Sequence, residues 1–226
     1  MTILHIESSS KNCSVAVSKD QELLCLCEER SENYKQSENL HPFVSWALEG
    51  AGLSLEDIDA VCLGMGPGSY TGLRIGASSA KGFCFALNIP LIAVNSMDTL
   101  VEPFLSSGYE VIIPLIDARR MEVYTAVYDG KSAELLDASK NLILEEDSFS
   151  KYEGKKVLFV GDGALKAKSL LTISDADYRE EILPSAQYLI RRAVEKFEKK
   201  EFEDIAYFEP FYLKDFQGVK KSDLKE

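Results

Sequence analysis

Residues 113–128 of this chain repeat residues 3–17 in outline. The first copy reads ILHIE-SSSKN-CSVAV and the second IPLID-ARRM-EVYTAVY. Each is an apolar strand ending in an acid, a short polar turn, then a strand of alternating character. Glu7 in the first copy matches Asp117 in the second. A chance likeness of two hairpins is the competing reading. Duplication makes the stronger demand: two sheets, and so two lobes, in one α/β chain.

The elements around the first copy fit that demand. A third strand is expected over residues 23–28. Leu40, Phe43, Val44, Ala47, Leu48 and Ala51 recur at spacings of three and four, which predicts an amphipathic helix stopped by Gly52. Ser54 and Asp57 resemble a second helix start. A buried strand is expected over 58–65, a helix over about 70–87, a strand over 91–94 and a short helix over 96–105 capped by Ser96. The order is β-β-β-α-β-α-β-α, that of the ribonuclease-H-like core used by actin-like ATPases and sugar kinases (the ASKHA fold), an analogy of fold alone. The first lobe is expected over residues 1–107 and a degenerate second lobe over 108–226. In the latter, 157–160 reads as a strand, Gly161-Asp162-Gly163 as a turn, 185–199 as a helix, and 220–226 as a solvated tail.

Hydrophobic residues make up 46% of the 226 residues, enough for a sizeable core. The N-terminus has no signal-peptide pattern, and no run approaches a membrane span, so a cytoplasmic protein is expected. The five cysteines, Cys13, Cys25, Cys27, Cys62 and Cys84, are odd in number and show no C-x-x-C, and read as small buried hydrophobes. The formal net charge of −12 opposes approach to a polyphosphate backbone. A nucleic-acid role is therefore expected to be indirect, through a partner. Arg119–Arg120, Arg191–Arg192 and the lysines of the tail are the local exceptions.

Chemistry is sought first in GMGPGSYTGLRIG, residues 64–76. Gly66-Pro67-Gly68 makes a tight turn, and Ser69 can cap the helix behind it. Free N–H groups there can hold an anion, yet the pattern matches neither a P-loop nor a dinucleotide fingerprint. Gly72, Gly76 and Ala80 recur every four residues. Helical glycine costs about 0.8–1 kcal/mol against alanine, so close packing is the reason sought, either inside the lobe or against another subunit. Glu7 and Asp117 are candidate carboxylates across a cleft, able to hold Mg²⁺ through water or simply to cap turns. Glu7, Ser8, Ser69 and Asp117 thus form a candidate vestigial nucleotide or anion site. His41 has only Ser37 and Ser45 four residues away, and His5 sits within the first strand, so no metal site is expected. There is no nucleophile elbow either.

ILHIESSSKNCSVAV, GMGPGSYTGLRIG, PLIDARRMEVYTAVY, FVGDGA and PFYLKD together resemble, in order and over most of the chain, the bacterial TsaB family, also called YeaZ. The resemblance implies an actin-like fold in two lobes and a part in making threonylcarbamoyladenosine beside the anticodon of tRNAs that read codons starting with A. It implies that the transfer step belongs to a larger metal-binding paralogue, TsaD, that a small ATPase, TsaE, joins them, and that the chain alone forms homodimers through the same surface. The chain is then a non-catalytic accessory subunit, and tRNA is met only indirectly. A Mg-nucleotide at the interface with the catalytic partner is the one cofactor left open. The expected docking residues are Leu40, Phe43, Val44 and Ala47 on one helix, and Gly72, Leu73, Gly76 and Ala80 on the next. Gly76→Leu is expected to abolish pairing without unfolding the monomer. The competing readings are an actin-like ATPase or kinase using Glu7, Asp117 and the glycine turn, and a peptidase.

Overall fold

The computed structural model describes residues 1–31 and 35–214; the expected tail at 220–226 lies outside them. Two mixed five-stranded sheets organise the chain. The first runs β3-β2-β1-β4-β5, from β1 (Thr2–Glu7), β2 (Asn12–Lys19), β3 (Glu22–Arg30), β4 (Ala60–Gly64) and β5 (Leu91–Val94). Read from the matching edge, the second runs β8-β7-β6-β9-β10, from β6 (Val111–Asp117), β7 (Glu122–Asp129), β8 (Leu135–Ile143), β9 (Val157–Val160) and β10 (Ala176–Arg179). In both, the first strand is central. It is antiparallel to the second and parallel to the fourth, and the outer pairs repeat those senses. The two echoing hairpins therefore occupy equivalent places, and the α/β, two-lobed actin-like fold stands.

The second lobe is reduced. Its only element between β8 and β9 is a single 3₁₀ turn, Ser150–Tyr152, where the first lobe has α1 (Gln36–Ala51). Its α4 (Ala164–Lys168) has 5 residues, against 18 in α2 (Tyr70–Leu87). The edge strands β8 and β10 escape a hydrophobic reading because solvent reaches most of their side chains.

Several boundaries move. The helix expected from residue 40 begins at Gln36, whose buried amide donates to the Ser10 carbonyl. Gly52 ends it in the left-handed region, φ 68, as its lack of a Cβ allows. The short helix α3 (Ser96–Val101) is capped by Asn95, which accepts the Met97 N–H at 2.9 Å; Ser96 is not the cap. The stretch 185–199 opens as a 3₁₀ turn, Ala186–Leu189, before α5 (Ile190–Glu198). Cys13, Cys62 and Cys84 are buried, but Cys25 and Cys27 on edge strand β3 are only half-buried.

Each sheet is covered on both faces, and the lobes exchange covers. α1 and α2 pack on one face of the first sheet, while Leu189, Ile190, Ala193 and Val194 cover Ile3, Cys62 and Ile92 on the other. Met97, Leu100 and Val101 of α3 lie on Ile112, Ala126 and Leu158 of the second sheet. A cut at 107/108 therefore separates the sheets but not their helices. Beyond α5 the chain returns as a strap along the first lobe. Glu203 N–H bonds the Leu91 carbonyl, Phe211 N–H the Met65 carbonyl, and Phe208 enters the core. A polar clasp also joins the lobes: one oxygen of Glu28 accepts from Asn12, Ser14 and Ser185 at 3.1, 2.9 and 2.7 Å. No helix among the described residues is long and apolar enough to cross a membrane.

Candidate functional site

The glycine turn wraps the turn between β1 and β2. Gly66 sits at φ 103 before a cis bond to Pro67, and its N–H bonds Ser96 Oγ at 3.1 Å. Ser69 caps α2 as expected, accepting the Gly72 N–H at 3.3 Å. Ser69 N–H itself donates to the Ser9 carbonyl at 2.6 Å, and Ser8 Oγ to the Gly72 carbonyl at 2.9 Å. A Cβ on Gly68 would stand 2.2 Å from Ser9 O, on Gly72 2.1 Å from Ser8 O, and on Gly76 2.2 Å from Ser8 Oγ. These glycines are what lets α2 close onto its own lobe. The N–H and hydroxyl groups that an anion would need there are partly committed to that closure.

The two matched acids sit in opposite surroundings. Glu7 is fully buried, with one oxygen accepting the Ser9 N–H at 2.8 Å and the other against Gly64. Burial, partly offset by the Ser9 hydrogen bonds, pushes its pKa up, which favours the neutral acid. Asp117 is exposed, paired with Lys166 at 2.7 Å and bonded by the Arg119 N–H. Its own N–H reaches Asp162 at 2.8 Å. Holding Mg²⁺ between two carboxylates requires both ionised and reachable; Glu7 is sealed from solvent, and its raised pKa disfavours the ionised form. The residues around β1 do not fit a Mg-nucleotide held by this chain alone. His5 is buried too, with Nε2 at 2.8 Å from Ser18 Oγ, and burial lowers its pKa to about 3. Among the described residues no three His, Cys, Asp or Glu side chains are grouped to hold a metal.

Leu40, Phe43, Val44, Ala47, Leu73 and Ala80 are buried in the first lobe's own core, and Gly72 and Gly76 are buried beside it. These residues cannot themselves be a bare docking surface. Gly76→Leu would drive a side chain into Ser8 and Leu63, so it tests folding before it tests pairing. What α1 and α2 present outward is a different set. Ser78 and Gly82 line the outer side of α2, with open space at the Gly82 Cβ position. Phe85 is 82% exposed beyond them, and Trp46 on α1 is 56% exposed. His41 bridges the helices, 3.5 Å from Ser79 Oγ with its ring 5.9 Å from that of Phe83. Aromatics falling outside the apolar stripe were the signal for this face.

Two ribonuclease-H-like lobes in tandem place the chain in the actin-like class. A family model described as "TsaD: tRNA N6-adenosine threonylcarbamoyltransferase" matches residues 31–217. The tRNA threonylcarbamoyladenosine biosynthesis protein TsaB of Escherichia coli (strain K12) is 30% identical, with 100% of both chains covered. TsaB of Haemophilus influenzae is 26% identical over 100% of this chain and 99% of its own. The solved structure of YeaZ from Pseudomonas aeruginosa superposes with a TM-score of 0.82 at 28% identity, covering 94% of this chain and 99% of that one. The chain belongs to the TsaB family.

Proposed function

We propose that this chain is a non-catalytic scaffold and activating subunit in the synthesis of threonylcarbamoyladenosine in tRNAs that read codons starting with A. Its partner is a TsaD-like catalytic paralogue, which it meets through the outer face of α1 and α2; a TsaE-like ATPase joins them, and alone the chain pairs with itself through the same face. The observation that carries this reading is the pairing of a large exposed aromatic, Phe85, with an adjacent glycine, Gly82, that has nothing over it. Exposed apolar surface beside a position with no side chain suits close approach of another helix. The ATPase or kinase reading needs Glu7 as an accessible acid, and Glu7 is sealed. A Mg-nucleotide shared with the partner would have to draw its ligands from the partner's side.

The test is Gly82→Arg and Phe85→Glu, each exposed and so compatible with folding. Sedimentation should show loss of the homodimer, co-purification should show loss of the paralogue, and the modification assay should fall to its level without this chain. Pairing that survives both changes would refute the face.

A further inference from the structure

The charge of −12 is an average. Beside α2 the cations are gathered. The strap and α2 enclose an open groove of about 490 Å³. The Arg74 guanidinium lies 4.2 Å over the ring of Tyr70, and Tyr70 packs on Tyr212 at 5.0 Å. Lys81 stands 5.9 Å from the ring of Phe208, and Glu209 is the one acid among the described residues of the groove wall. At the far end Lys214 pairs with Glu122, at the foot of the β6–β7 turn. The tip of that turn is Arg119–Arg120.

Both tip arginines are exposed, with φ of 68° and 52°. Two successive left-handed residues are what a tight hairpin asks of asparagine and glycine, not of long side chains. Among the described residues no carboxylate pairs with either one. The turn therefore carries two planar, fork-shaped cations at the expense of its own backbone comfort. Such forks match phosphate oxygens in pairs.

We propose that this strip, from Lys81 and Arg74 past the tyrosine pair to Arg119–Arg120, contacts tRNA directly. The cations neutralise backbone phosphates, and the Arg74 guanidinium, stacked on the tyrosine pair, gives a planar surface on which an unpaired base stacks. Cations interleaved with aromatic rings favour nucleic acid over an acidic protein surface, which needs the charges but not the rings. The inference rests on the proposed role in tRNA modification, and it revises the expectation that tRNA is met only through the partner. Ser78 lines both this groove and the outer side of α2, so the strip borders the face proposed for the paralogue.

The experiment is fluorescence anisotropy of the full chain with an unmodified tRNA reading a codon that starts with A, at about 50 and 200 mM salt. Two double variants are compared: Arg74→Gln with Lys81→Gln, and Arg119→Asn with Arg120→Gly. The second supplies the residues the turn geometry prefers, so its melting temperature should hold or rise, and lost binding is then not lost folding. Each pair should weaken binding roughly tenfold and flatten the salt dependence by about two in slope, one per phosphate contact removed. No binding by the wild-type chain at the lower salt, or unchanged binding by both variants, overturns the proposal. Variants that keep tRNA but fail to co-purify with the paralogue also overturn it, in favour of an acidic protein surface. A strip that binds tRNA in a chain that pairs with no paralogue would leave this inference standing and remove the scaffold reading.

Discussion

Gly72→Ala and Gly82→Ala should move stability in opposite directions, although both sites lie in α2. On helix propensity alone each change is worth about 1 kcal/mol in favour of the fold. At Gly82 the new methyl meets no atom within 4 Å, so the gain stands. For a chain of this size it raises the melting temperature by about 2–4 °C. At Gly72 the methyl would lie 2.1 Å from Ser8 O, a backbone atom, where ordinary contact begins at 3.4 Å. Helix and turn must part by about 1.3 Å. That weakens the Ser8 Oγ bond to the Gly72 carbonyl and the Ser69 N–H bond to Ser9, each worth about 1 kcal/mol. Overpacking adds about 1–3 kcal/mol. After the propensity gain is subtracted, the net loss is about 2–4 kcal/mol, or roughly 5–15 °C in melting temperature. Thermal melts by circular dichroism, with urea titrations to check that the slope is unchanged, read both effects. A Gly72→Ala chain as stable as wild type would show that the β1–β2 turn is not what α2 packs against.

Three further outcomes are expected. Because burial raises the Glu7 pKa in the fold, its contribution is complete below the ordinary value of 4.5 and is lost as pH rises through the raised value. Glu7→Gln should therefore flatten the decline in stability between 4.5 and the raised value, and parallel urea curves for the two chains would exclude ionisation of Glu7. His5 has the reverse sign: with its folded pKa lowered to about 3, stability is full above the ordinary 6.5 and falls as pH drops below it. Its imidazole resonances should stay in the neutral position on titration from pH 7 to about 5, and a midpoint near 6.5 would count against the buried site. Glu28→Ala strands donors from Asn12, Ser14 and Ser185 at the lobe junction, and should cost about 2 kcal/mol in urea unfolding; a loss under about 0.5 kcal/mol would mean water replaces the clasp.

How far these sites were legible depended on whether a local pattern settled its own direction. The two hairpins were, because an apolar strand, a short polar turn and an alternating strand put two paired strands side by side in a sheet. Glu7↔Ser14 and Asp117↔Val123 close the two copies alike. The helix α2 was legible as a helix, with Ser69 as its cap and residue 87 as its end. Its facing was not. A row of small residues at i and i+4 says that something comes close, and the same row results whether the neighbour is a strand turn of its own lobe or a foreign helix. The decision lies with Ser8 and Ser9, some sixty residues earlier in sequence, whose carbonyls point into the space the glycines vacate. The same separation hid the cation strip. Arg74, Lys214 and Arg119 are scattered through an acidic chain, and only the strap's return past Met65 and the Lys214–Glu122 pair bring them into one line. Net charge bounds what a surface can do on average, but the sign met by a ligand is set by which loops the fold gathers at one edge.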